Sequence, residues 1–288
     1  MSKFDTALTF GSVSLPWHAI ILVLAVVAGV AVMSVVVRRR GLFRDLALDL
    51  CILCIPTGLV GARLFSALSQ KISWSELFSI GQTGLNLYGA LLFCFAGTAI
   101  YCKVRKFSFG ETLDAAAPGI LTAIAVGRWQ DFFLCDGLGY PVEKTAWKFF
   151  PVATVTEAYF QDGVSVAYAV FFWESLFCFA LAAFILFFLL QRELRDGDAF
   201  AIAMLLFGTF GYFFEIARDP AYRQIIVFDI PFNGLLSALI ALAAFGYLLF
   251  GQRFGEIRKG IRKKRGAAAA AAEGEITEEN TMEEKTNG

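Results

Sequence analysis

The chain has 288 residues, of which 58% are hydrophobic and only 17% charged. That balance excludes an ordinary soluble domain and describes a helical protein that crosses a membrane several times. Formal net charge is zero, but the charges are segregated along the chain, and no nucleic-acid partner is expected.

In chain order, the first apolar run begins near Leu15 and continues to Arg38 with no small-residue cleavage site, so no cleavable signal peptide is expected. Seven apolar segments follow one another: 16–37, 46–68, 86–102, 113–134, 166–190, 198–216 and 232–250. Each is long enough to cross about 30 Å of hydrocarbon. The connections alternate in charge. Arg38, Arg39, Arg40 and Arg44 follow the first span, Lys103, Arg105 and Lys106 the third, Arg192 and Arg195 the fifth, and a run from Arg253 to Arg265 the seventh. The other connections are poorer in basic residues. By the positive-inside rule the N-terminus lies outside and the C-terminus in the cytoplasm. The expected fold is therefore an all-α, polytopic bundle of seven transmembrane helices, spanning 1–252. Residues 253–288 read as a cytoplasmic tail, basic and then acidic around six alanines, with too few apolar residues to fold. Its basic part suits the anionic headgroups of membrane lipids.

The connection 135–165 is the longest. It carries Trp147, Phe149, Phe150 and Tyr159, side chains suited to a membrane interface. Cys51 and Cys54 form a CxxC, but no second pair and no histidine lies nearby. They read as small core residues rather than as a metal or redox site. No internal repeat is evident.

The stretch Val126–Asp136 concentrates charge at the end of an apolar run: Arg128, Asp131 and Asp136. A charge inside a membrane helix costs at least a few kcal/mol, so it normally faces the bundle interior, finds a partner and marks a site. Arg128 and Asp131, three apart, share a helix face. At about 1.5 Å per residue, Arg63, Arg128, Asp131 and Glu215 fall in the outer half of their spans, and Glu174 about 13 Å deep. His18, Asn86 and Tyr88 begin spans on the same side. Gly58, Gly61, Gly89, Gly208 and Gly211 lie beside these residues and would let helices approach. The set predicts a polar cavity opening to the outer leaflet. Arginine suits phosphate as a planar, permanent cation, so a phospholipid headgroup is the expected ligand.

Over residues 10–255 these features resemble a family, the bacterial prolipoprotein diacylglyceryl transferases. Val60-Gly61-Ala62-Arg63-Leu64-Phe65 is similar to the family's GARLxY-type stretch. Gly127-Arg128-Trp129-Gln130-Asp131-Phe132, continuing to Asp136 and Gly139, sits where the signature reads GRxGNFxNxExxG. Phe172-Trp173-Glu174-Ser175-Leu176 resembles the LYEAL-type segment. Phe207 to Pro220 resembles YGxxRFxxEFxRxP, with Arg218 as its second arginine. There are departures. Tyr88 stands where the family's FHGG has histidine, Gly211 where the sixth span has its first arginine, and Asp131 where the signature has asparagine. Leu134 replaces a second asparagine and Asp136 the glutamate, while Tyr168 to Phe171 replace an HPSQ.

The resemblance implies transfer of the diacylglyceryl group of phosphatidylglycerol to the lipobox cysteine of preprolipoproteins, in the bacterial plasma membrane and without a cofactor or metal. It implies catalytic roles for Arg128, Tyr88, Glu174 and Glu215, and substrate contacts from Arg63, Arg128, Asp131, Asp136 and Gly139. Two other readings stay open on the residues alone. One is a non-catalytic lipid- or lipoprotein-binding protein on the same scaffold. The other is a small transporter, which would need polar residues through the inner half as well, where the sequence has few.

Overall fold

A computed structural model of the chain describes residues 6–10, 13–70, 86–155, 166–191, 195–220, 225–227 and 230–251. The expected tail, 253–288, lies outside them. One compact unit comprises Met1–Ala244, and a second, Phe245–Gly288, begins within the last helix.

Seven helices are long and apolar enough to cross a membrane. They are α1 (Trp17–Arg39), α2 (Leu46–Gln70), α3 (Leu87–Arg105), α4 (Phe109–Gly127, extended by a short α5, Gln130–Leu134), α6 (Val170–Gln191), α7 (Asp198–Ala217) and α8 (Phe232–Gly251). The expected spans agree with these to within a few residues, except at the fifth. There Val166–Tyr168 is not helix but a strand, β4, paired antiparallel with β3 (Ala153–Val155). Two further hairpins were not anticipated: β1 (Thr6–Phe10) with β2 (Val13–Pro16), and β5 (Ile225–Val227) with β6 (Ile230–Pro231). All three pairs precede a membrane helix. Each satisfies backbone donors and acceptors within the connection, which a segment outside a helix must do wherever it leaves water.

α4 is the most buried span, with Ala115, Ala117, Leu121 and Ala125 fully enclosed. Its helix starts at Ser108, whose Oγ accepts from Glu111 N–H. Small residues along it admit close neighbours. Packing follows: α1 lies along α4, α2 along α3, and α6 and α7 against α4. Two crossings are backbone to backbone. A Cβ placed on Gly29 would stand 2.8 Å from the Gly119 carbonyl oxygen, and one on Gly119 would stand 2.6 Å from that of Gly29. Gly61 and Gly89 meet in the same reciprocal way between α2 and α3.

At the end where α1 finishes, Asp114 is wholly buried. It accepts from Gly197 N–H and Phe200 N–H, both at 2.8 Å. Gly197 precedes α7 with φ of +92° and carries no side-chain cap of its own. The Asp114 carboxylate supplies the acceptor and the negative charge that a helix N-terminus favours. Between α2 and α3, Cys94 Sγ donates to the Cys54 carbonyl at 3.3 Å, and all six cysteines are free. Among the described residues no group of His, Cys, Asp and Glu is placed to hold a metal ion.

The glycine crossings yield a test. Gly119→Ala and Gly61→Ala must displace backbone, and overpacking of this kind costs about 1–3 kcal/mol. An added Cβ at Gly246 meets no described atom within 4 Å, and Gly246→Ala is expected to leave stability unchanged or slightly raised. Unfolding in mixed micelles, followed by helical circular dichroism, measures the difference.

Candidate active site

At the end of the bundle where α1 begins, five side chains form one alternating chain of charge. Asp131 Oδ2 lies 3.4 Å from Arg128 Nη1. Arg128 Nη2 lies 2.5 Å from Glu174 Oε1. The other Glu174 oxygen, Oε2, accepts from Arg218 Nη2 at 2.9 Å. Arg218 Nη1 donates to Glu215 Oε2 at 3.1 Å. The order is thus Asp131, Arg128, Glu174, Arg218, Glu215, with Glu174 shared between two guanidinium groups. All five are largely buried: side-chain exposure runs from 3% at Glu215 to 14% at Arg128.

The members come from the ends of four helices. α4 stops at Gly127, and Arg128 is its C-cap. The short α5 begins two residues later and turns Asp131 back toward Arg128. Glu174 lies one turn into α6, while Glu215 and Arg218 flank the end of α7. The segment after α5 closes over the group. Cys135 and Gly137 adopt positive φ, +50° and +61°, which bends the chain so that Gly137 passes beside Arg218 and Asp131. Leu138 O then accepts from Asp219 N–H at 3.0 Å, and Gly139 N–H donates to Tyr168 O at 2.9 Å. Gly139 is also bridged to Arg218. A side chain there would strike Tyr168 Cβ and Val170 Cγ2, at 2.8 and 2.9 Å.

Burial alone would lower the Arg218 pKa, but the Glu174 carboxylate, followed by Glu215 and Asp131, outweighs it and the group stands above its ordinary value. Arg218 is therefore a permanent cation here. Arg128 Nε is buried and has no hydrogen-bond partner among the described residues.

A second, neutral network adjoins the first. Asn86 caps α3, accepting from Tyr88 N–H and Gly89 N–H at 3.0 and 3.1 Å. Its amide donates to Asn233 Oδ1 at 2.8 Å. Ser237 Oγ lies 2.9 Å from the Asn233 carbonyl and hydrogen-bonds the Tyr88 hydroxyl. A Cβ added at Gly211 would stand 3.1 Å from both Ser237 Oγ and Tyr88 Oη.

Of the residues singled out in the sequence, Arg128, Asp131, Glu174 and Glu215 meet in the charged chain, and Tyr88 sits in the hydroxyl network. Arg63 is half-buried on α2, next to Ala62, whose carbonyl accepts from Asn86 N–H at 3.2 Å. Asp136 is exposed, and its carboxylate accepts from Gly137 N–H at 2.7 Å. Gly139 serves the packing of the covering segment. The sequence places Arg218 just after the sixth span, where the resemblance aligns it with the family's second arginine. The structure buries it at the centre of the ion pairs. Its signal was present: Glu215 and Arg218 repeat the three-residue spacing of Arg128 and Asp131. Ser237, Asn233, Trp129 and Ser175 had no such signal, because each is a polar residue in an apolar run whose partner lies far away in sequence.

The model of the prolipoprotein diacylglyceryl transferase family matches residues 5–250. The chain belongs to the prolipoprotein diacylglyceryl transferase family. It is similar to three relatives named phosphatidylglycerol–prolipoprotein diacylglyceryl transferase. The one from Paenarthrobacter aurescens (strain TC1) is 29% identical over 260 residues, 85% of this chain and 80% of the relative. One from Clostridium botulinum (strain Langeland) is 26% identical over 219 residues, covering 73% and 84%. One from Listeria welshimeri is 26% identical over 250 residues, covering 85% and 88%. This diacylglyceryl transferase family member is thus a multi-pass protein of the bacterial plasma membrane.

Truncating one partner of a buried ion pair leaves the other uncompensated, at a cost of about 3–5 kcal/mol. Arg218→Met is therefore expected to lower thermal stability sharply. Arg218→Met combined with Glu215→Gln removes one charge of each sign and is expected to recover part of the loss. A double-mutant unfolding cycle measures the coupling.

Proposed function

We propose that this chain transfers the diacylglyceryl group of phosphatidylglycerol to the lipobox cysteine of prolipoproteins. The observation that carries the reading is the Arg128–Glu174–Arg218 bridge, a buried pair of cations at one end of a bundle of this family. Arginine binds phosphate through planar, charge-assisted hydrogen bonds, and Arg128 Nε is a buried donor left over for it.

In the reaction the cysteine sulfur attacks the glyceryl carbon that bears the phosphate. The C–S bond forms, the C–O bond breaks, and its electron pair departs on glycerol phosphate. The thiol gives up one proton, and the phosphate gains negative charge. Two demands follow: a base near the sulfur and cations near the leaving oxygen. Glu174 couples them. While ionised it holds both guanidinium groups. When it takes up the thiol proton its hold on them weakens, and both turn to the phosphate as its charge develops. Asp131 and Glu215 keep one arginine each in place. Arg63, Asp136 and Gly139 line the approach of substrate, and Tyr88 hydrogen-bonds the lipid. The bundle lies with its N-terminus outside, which puts this site toward the outer leaflet. Residues 1–252 form the membrane domain, and 253–288 a tail whose basic part meets membrane lipid headgroups.

A second reading, a lipid- or prolipoprotein-binding protein without transfer, is favoured by Tyr88 and Gly211. These stand where the family's histidine and first sixth-span arginine are expected, so one cation is missing.

Purified protein given phosphatidylglycerol and a lipobox peptide tests the first reading through release of glycerol phosphate. Arg128→Ala is expected to lower turnover at least about a hundredfold, close to 2.7 kcal/mol of transition-state stabilisation. Wild-type turnover that survives Arg128→Ala intact would sink the role given to it. Gly211→Arg alone places a side chain against Tyr88 Oη and Ser237 Oγ and is expected to fold poorly. Together with Tyr88→His it is expected to fold and to raise turnover about tenfold. Orientation is tested by thiol labelling of Phe150→Cys, expected from outside, and of Gly260→Cys, expected from the cytoplasm.

A further inference from the structure

Two pairs of neighbours in sequence are joined twice. Arg128 and Glu174 form the ion pair at 2.5 Å. The residues that follow each of them, Trp129 and Ser175, form a hydrogen bond: Trp129 Nε1–H donates to Ser175 Oγ at 3.2 Å. Ser175 Oγ in turn donates to the Ala125 carbonyl at 2.7 Å. That carbonyl is available because α4 tightens as it ends. Trp129 N–H turns to Val126 O at 3.2 Å rather than reaching back four residues, so Ala125 O needs another donor. Ser175 is 2% exposed, and a buried serine hydroxyl has one proton to give. Here it gives that proton to α4 and accepts from Trp129. The indole is itself held, packing edge-on against Phe171 and Phe172 with centroids at 6.0 and 6.1 Å.

We infer that Ser175 is a positioning residue. With Trp129 it locks the start of α6 to the end of α4, so that Glu174 meets Arg128 in the orientation that also reaches Arg218. The inference rests on the phosphate-binding role proposed above for Arg128. A carboxylate that must touch two guanidinium groups tolerates little rotation or slip of its helix, and an ion pair alone sets neither. A hydroxyl anchored to a backbone carbonyl one residue away fixes both. Without it Glu174 keeps one arginine and loses the other, and Arg128 meets the lipid phosphate askew.

The test titrates phosphatidylglycerol into the purified full chain in neutral detergent and reads affinity alongside thermal stability. Ser175→Ala is expected to weaken affinity about tenfold, the scale of a small misplacement of binding groups. Ser175→Thr, which keeps the hydroxyl, is expected to return it to within about twofold of wild type. Trp129→Phe keeps a ring but deletes the donor, and tests the same lock without adding volume. It is expected to weaken binding in the same sense by less. Combined with Ser175→Ala it is expected to add nothing, because the bond it removes is already gone.

Wild-type affinity in Ser175→Ala overturns the inference. So does equal weakening by alanine and threonine, which would mark a response to bulk, and so does full additivity of the Trp129 and Ser175 variants. Arg128→Ala separates this from the underlying reading. If Arg128→Ala abolishes binding while Ser175→Ala leaves it intact, only the positioning role falls. If Arg128→Ala itself binds normally, the phosphate role falls and the inference with it.

Discussion

The buried ion pairs where α1 begins depend on one carboxylate. Glu174 touches Arg128 with one oxygen and Arg218 with the other, in surroundings where an unpaired charge is costly. Two guanidinium groups facing each other would repel. Glu174 between them turns repulsion into two attractions, while Asp131 and Glu215 close the ends. Three carboxylates against two cations leave the group short of positive charge. It is therefore better described as a held reserve of cations than as an open anion site. Whatever draws on that reserve has to neutralise or displace a carboxylate first.

That requirement explains much of the architecture. Arg128, Glu174 and Arg218 are separated by more than forty residues in sequence, and they meet only if the ends of α4 and α7 lie level with the start of α6. Small residues make this possible. Gly29 and Gly119 bring α1 onto α4, and Gly208 lies against Ser237 O, 2.6 Å from where its Cβ would be, to bring α7 onto α8. At the other end, Asp114 of α4 caps α7 directly. α4 and α7 are thus registered at both ends, by a cap at one and by the ion chain at the other. The covering strip at 137–139 adds backbone bonds to Asp219 and Tyr168, and these keep Arg218 from swinging out as a loop residue would.

Most of the bundle could be read from the amino acids because hydropathy is a local property. Twenty apolar residues in a row have few other fates, and the spans at 46–68 and 198–216 needed nothing more. Arg128 and Asp131 were equally legible, since spacing on one helix shows which residues share a face. What resisted reading depends on tertiary contact. Arg218 lies just beyond a span, and its three-residue spacing from Glu215 pairs the two without showing that the pair is buried. Val166–Tyr168 is as apolar as a helix start, and only the presence of Ala153–Val155 beside it makes it a strand. Ser175 and Ser237 are single hydroxyls in apolar helices. Their meaning lies in the Ala125 and Asn233 carbonyls and in Trp129 and Tyr88.

Tyr88 and Gly211 form one structural feature rather than two. Gly211 and Tyr88 face each other: the space a side chain at 211 would enter is bounded by the Tyr88 hydroxyl and by Ser237 Oγ. The Tyr88 hydroxyl reaches into the space that the absence of a side chain at 211 leaves open. Ser237 supplies the hydrogen bond that a buried phenol requires, and Asn86 and Asn233 tie the same corner to the starts of α3 and α8. Neutral hydroxyls and amides therefore hold the helices together at this corner. The consequence for chemistry is a redistribution. With no positive charge at 211, the buried positive charge of the ion chain rests on Arg128 and Arg218 alone. Both are already committed to Glu174, so under the proposed mechanism turnover is set by how readily that carboxylate lets them go.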